Sequence, residues 1–155
     1  MALAGSSQFA QHLAIVPTCH IGYNRRMAAE RWRVEVSKRA LRWLEEDCAK
    51  RASDRVKIRA GFTRVFKLLA EAGPYLGLPH AVWIREYRMW EARYEHRGTC
   101  YRMFYCQEGA VFLVAGGVVK KKRRLAPGEL RAARRWCDEA IVEWQREGGE
   151  DSGSG

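Results

Sequence analysis

From Trp32 onward the chain divides into segments of clear period. Trp32-Arg33-Val34-Glu35-Val36 alternates charged and apolar residues, as a half-buried strand does. Ser37 stands where a helix N-cap would, and Leu41, Leu44 and Cys48 follow at spacings of three and four. A second helix is expected to start at Ser53 or Asp54, with Ile58, Phe62, Val65 and Leu69 as its core-facing stripe. Burying those side chains contributes roughly 2 kcal/mol each before the entropy cost. Lys57, Arg59, Arg64 and Lys67 form its solvated face, Gly73-Pro74 stops it, and Gly77-Leu78-Pro79 continues as loop.

Residues 87–106 read YRMWEARYEHRGTCYRMFYC, two aromatic-rich runs around His96-Arg97-Gly98-Thr99. That pattern predicts a β-hairpin. If Glu95 pairs with Cys100, Arg93 lies opposite Arg102 and Glu91 opposite Phe104. Alternation then puts Met89, Glu91 and Arg93 on one face with Arg102, Phe104 and Cys106. Trp90, Ala92, Tyr94, Tyr101, Met103 and Tyr105 take the other face, where packing against helices is the simpler reading than base stacking. A slip of one residue would separate the two arginines. After a turn at Gln107-Glu108-Gly109, the wholly apolar run Ala110-Val111-Phe112-Leu113-Val114-Ala115 predicts a strand covered on both faces. Gly116-Gly117 bends or bulges it, and Val118-Val119 ends it. Pro127 opens a last helix with Leu130, Ala133, Cys137 and Ile141 along one side. The elements compose an α+β domain: a small antiparallel sheet, two helices after the first strand and a C-terminal helix, with the helices expected on one face.

Residues 1–29 carry no period and read as a flexible leader, with Met27 a second candidate start. Residues 30–147 form the domain, and 148–155 read as a disordered polar tail. A chain of 155 residues suits one domain. Its formal net charge of +10 points to polyanionic partners, namely RNA, DNA or an acidic protein. No long apolar run or basic amphipathic helix suggests a membrane. Five cysteines without a CxxC pair read as reduced thiols in a cytoplasmic protein, with neither a metal site nor a disulfide framework.

Like charges directly opposite on a sheet destabilise it. A fold that sets Arg93 beside Arg102 therefore neutralises them internally, with Glu91 as the candidate, or uses them to bind an anion. Lys120, Lys121, Lys122, Arg123 and Arg124 form an unbroken basic run, by itself a solvated, phosphate-attracting surface. His96, in the hairpin turn, is a candidate acid/base because histidine is the side chain most often used in that role, and the plainer reading is an exposed turn residue. His80 is a weaker candidate.

Four segments, in order, resemble the RelE-like toxins of bacterial toxin–antitoxin systems, closest to the HigB type, from about Trp32 to Trp144. They are Ala72-Gly73-Pro74-Tyr75-Leu76-Gly77-Leu78-Pro79; Met89-Trp90-Glu91-Ala92-Arg93; Tyr101-Arg102-Met103-Phe104-Tyr105; and Val119-Lys120-Lys121 with Pro127 ahead of an Ala-rich basic helix. The resemblance implies the RelE-like microbial RNase fold. It also implies a metal-independent, cofactor-free endoribonuclease that cleaves mRNA, often on the ribosome, and is silenced by a small helix-turn-helix antitoxin. It puts Arg93, Arg102 and Lys120 or Lys121 at the basic catalytic positions, with Glu91 as base or orienting group and His96 as a further acid/base candidate. Lys122, Arg123 and Arg124 are then expected to hold RNA backbone. The chain departs from the family in its longer basic run and in lacking a tyrosine near the C-terminus. Two other readings use the same basic face: a non-catalytic nucleic-acid-binding module, and an interaction protein for an acidic partner.

Overall fold

The structure is a computed structural model that describes residues 32–120 and 124–148. The expectations for the leader, for the tail beyond Gly148, and for Lys121, Lys122 and Arg123 lie outside the described residues. The elements are β1 (Arg33–Val36), α1 (Lys38–Arg42, prolonged by a wider π turn over Trp43–Asp47), α2 (Ala52–Ala72), β2 (Ala81–Ile84), β3 (Met89–His96), β4 (Thr99–Glu108), β5 (Val111–Lys120) and α3 (Pro127–Arg146). The strands make one sheet in the order β1-β5-β4-β3-β2. The expected α+β class and helix positions hold, but the sheet is not wholly antiparallel, because β1 runs parallel to β5.

The hairpin has the expected register, with Arg93 opposite Arg102, Glu91 opposite Phe104 and Glu95 opposite Cys100. Its two-residue turn sets that register. Arg97 (φ 51°) and Gly98 (φ 74°) both take positive φ, as the tight hairpin turns matched to strand twist require. Ser37 caps α1 as expected: its Oγ accepts from Ala40 N at 3.1 Å and donates to the Ala115 carbonyl at 3.0 Å. Neither Ser53 nor Asp54 caps α2, which begins at Ala52 after Arg51 and takes both residues into its first turn.

Residues 81–84, to which the sequence pattern assigned no element, form the edge strand β2. Four apolar residues carry no alternation to read. The strand exists because it pairs with β3, Trp83 opposite Trp90, with the two indole rings 4.3 Å apart. The irregularity expected at Gly116-Gly117 falls one residue earlier, where Phe104 pairs with Gly116 but Tyr105 with Val114, leaving Ala115 as the extra residue. The glycines instead make room for two tryptophans. A Cβ on Gly116 would sit 2.6 Å from the Trp136 ring, and one on Gly117 would collide with Trp43.

The helices lie on both faces of the sheet, not on one. Ile58, Phe62, Val65 and Leu69 of α2, with Leu44, bury against Tyr101, Tyr105 and Phe112. Ala133, Cys137 and Trp144 of α3 bury on the opposite face against Phe104, Leu113 and Ala115. The continuous apolar run of β5 has this cause, since Phe112 and Val114 point to the α2 side while Val111, Leu113 and Ala115 point to the α3 side. Among the described residues no helix is long and apolar enough to cross a membrane.

Candidate functional site

The α3 face is apolar only over its lower part. Towards the hairpin turn, Phe104 and Met89 give way to Glu91, Arg93 and Arg102, and β5 ends beside them at Lys120, which pairs with Cys100. Alternation brings Arg102 and Lys120 to the same face on neighbouring strands. Glu91 is buried between the arginines, its side chain 4% exposed. Its Oε1 accepts from Arg93 Nε at 2.6 Å and lies 3.3 Å from an Arg102 guanidinium nitrogen. One carboxylate therefore offsets the repulsion that the register creates. Arg102 is itself almost wholly covered (7% side-chain exposure), whereas Arg93 is reachable from solvent (35%).

Lys120 is held in a comparable way. Its Nζ lies 2.6 Å from Glu129 Oε2, and the same oxygen accepts from the Ala126 backbone N–H at 2.8 Å. The Lys120 hydrogen bond, then the Ala126 amide, hold the Glu129 carboxyl below its usual range, with the positive charge of Arg102 adding to the effect. Three cations and two carboxylates thus share one end of the sheet face. Pre-aimed guanidinium and ammonium donors of this kind suit a tetrahedral or pentacoordinate phosphate, which offers several oxygens at once.

Of the site residues expected from sequence, Glu91, Arg93, Arg102 and Lys120 come together here. His96 does not. It lies on the α2 face, with Nε2 3.0 Å from Oδ1 of Asp54 in the first turn of α2. That hydrogen bond, with Arg97 as a secondary influence, holds the Asp54 carboxyl low. His96 thus pins the hairpin tip to α2 and has no access to the arginines. His80 contributes its carbonyl, which accepts from Arg93 N at 2.9 Å. Arg124 is exposed. Trp90, Tyr94, Tyr101 and Tyr105 pack on the α2 side, Trp90 stacking on Tyr105 at 5.6 Å, so they serve the core and not bases. No group of three or more metal-ligating side chains occurs among the described residues.

Glu129 is the residue that the sequence reading missed. A glutamate three positions after a helix N-cap is a capping signal. Here the N-cap is Ala126, which has no side-chain acceptor, so the usual Ser/Thr half of the signature is absent.

The fold and site define a class: a small α+β domain that gathers arginine, arginine and lysine at one end of a sheet face, each countered by an internal carboxylate. Over residues 53–137, more than half of its length, the chain matches the family model of phage-derived Gp49-like proteins (DUF891), and it belongs to that family. The family is part of the RelE/ParE-like toxin superfamily. The matched segment runs from the first turn of α2 to the middle of α3 and contains every member of the basic cluster. No curated protein and no solved structure matches the chain.

Proposed function

We propose that this protein is the toxin of a type II toxin–antitoxin pair, of the HigB type: a metal-independent endoribonuclease that cuts mRNA on the ribosome in the cytoplasm and is held in check by a small helix-turn-helix antitoxin. The observation that carries the reading is the convergence of Arg93, Arg102 and Lys120 on one face within a toxin-family segment. RNA supplies its own nucleophile. The 2′-hydroxyl loses its proton as its oxygen attacks the adjacent phosphorus, a P–O bond forms, the bond to the 5′-oxygen breaks, and that oxygen takes up a proton, leaving a 2′,3′-cyclic phosphate and a 5′-hydroxyl. The enzyme's task is to align that oxygen and stabilise negative charge on phosphorus. Arg93, the more accessible of the two arginines, meets the phosphate first, and Arg102 and Lys120 take the charge that develops. Buried Glu91, already bonded to Arg93 and close to Arg102, orients them and does not act as the base. Lys122, Arg123 and Arg124 hold flanking RNA backbone, an electrostatic attraction that weakens steeply with salt.

Burial of Arg102 beside Glu91 favours a second reading, in which the pair is structural and the face binds RNA or an acidic partner without cutting. Primer extension on mRNA after induction, with Arg102→Ala and Arg102→Lys beside wild type, separates the two. A catalytic Arg102 gives at least a roughly hundredfold loss on replacement by alanine. Lysine then rescues only partly, because a point charge cannot reproduce a planar fork. Cleavage by folded Arg102→Ala at the wild-type rate would remove this face from catalysis. Wild-type cleavage that persists in a chelator, with cyclic-phosphate ends, is the expected product signature.

A further inference from the structure

We propose that Glu129 is a positioning residue for Lys120: the carboxylate that caps α3 also sets where the lysine ammonium sits, so the start of α3 is part of the site. The inference rests on the preceding reading of Lys120 as a phosphate-facing group.

The geometry is specific. Lys120 is the last residue of β5, and its side chain is only 15% exposed. A lysine so covered has its long flexible stem confined and its charge in need of a partner. Glu129 provides that partner at 2.6 Å and has little freedom itself, because the same Oε2 accepts the Ala126 amide at 2.8 Å. The Glu129 N–H in turn donates to the Ala126 carbonyl at 3.0 Å. The ammonium is therefore referenced to the helix backbone through one oxygen. Arg102 and Arg93 are referenced to the sheet through Glu91. Each cation of the site is thus placed by a carboxylate on a rigid element, which is how a donor is kept within reach of a transition state without reorganising. Glu129 differs from Glu91 in being more open, at 38% side-chain exposure, so its loss exposes no core.

Glu129→Gln is the informative substitution. It keeps an oxygen for the Ala126 amide and removes the charge that holds Lys120. In single-turnover assays on ribosome-bound mRNA, cleavage should fall about tenfold to a hundredfold, the range expected when a catalytic group is misplaced by roughly an ångström. KM should change little, and the melting curve should stay close to wild type. In a Lys120→Ala background, Glu129→Gln should have no further effect on cleavage, because the residue acts through the lysine. A purely structural cap would add its loss to that of Lys120→Ala. A second readout needs no activity: acetylation of Lys120 by an acyl ester, followed by mass spectrometry, should speed up in Glu129→Gln. Wild-type cleavage by Glu129→Gln, additive losses in the double variant, or unchanged Lys120 acetylation would each overturn the proposal. Failure of the wild-type protein to cut any RNA would instead overturn the reading on which it rests, and the acetylation result would still decide whether Glu129 holds Lys120.

Discussion

The two faces of the β3–β4 hairpin come from the same two strands and share almost nothing chemically. On the α2 side, Trp90, Tyr94, Tyr101 and Tyr105 pack with Phe62 and Phe112 in an aromatic core. On the α3 side, one register step away, Glu91, Arg93 and Arg102 form a charged cluster that α3 leaves partly open. Packing holds the first face, and charge compensation holds the second. Each face is also tied to the first turn of a helix by an acidic residue with a lowered pKa, Asp54 of α2 through His96 and Glu129 of α3 through Lys120. The comparison teaches that a sheet can carry buried charge on one face when a carboxylate compensates it there and aromatic packing fills the other face.

Three measurements test that division. The largest effect should come from Glu91→Gln, which leaves Arg93 and the buried Arg102 without their shared anion. A loss of about 3–5 kcal/mol in urea unfolding is expected, the usual cost of breaking a buried ion pair from one side. A loss below about 1 kcal/mol would mean that the cluster contributes nothing to the fold. On the packed face, Gly61→Ala should destabilise by about 1–3 kcal/mol. Alanine is the better helix former by about 1 kcal/mol, but its methyl would collide with the Tyr94 ring. A stabilised variant would show that the ring yields freely and that this face is less tightly packed than its burial implies.

The smallest effect is the dependence on pH through Glu129. The Lys120 hydrogen bond holds the folded pKa of Glu129 below the ordinary carboxylate value, so its stabilising contribution is fully present above the unfolded pKa. That contribution is lost as pH falls through the folded pKa. Melting temperatures of wild type and Glu129→Gln should therefore differ slightly at neutral pH and converge as the pH falls through the folded pKa. A gap that is unchanged or wider in acid would mean that the carboxylate makes no favourable ion pair with Lys120.

The sequence by itself determined what depends on local rules. A period of two, with a turn at Arg97-Gly98, put Glu91, Arg93 and Arg102 on one face, and spacings of three and four marked the buried stripe of α2. The face of His96 was legible as well, because it shares parity with Trp90 and Tyr94. Its place in the turn drew attention to the histidine as an acid/base candidate, when alternation already set it apart from the arginines. The apolar run of β5 announced cover on both faces, which is incompatible with helices on one.

What only the tertiary structure decided are pairings between elements. Strand β2 exists because Trp83 finds Trp90, an association that four unpatterned apolar residues cannot announce. Glu91 stands as the shared counter-ion of both arginines because its carboxylate is buried between them, which sequence could only pose as one of two alternatives. Glu129 reaches Lys120, nine positions earlier in the chain, because the start of α3 lies beside the end of β5. Local periodicity selects which residues share a face. The partner that crosses from another element depends on where long-range packing sets that element, and packing is a property of the whole chain.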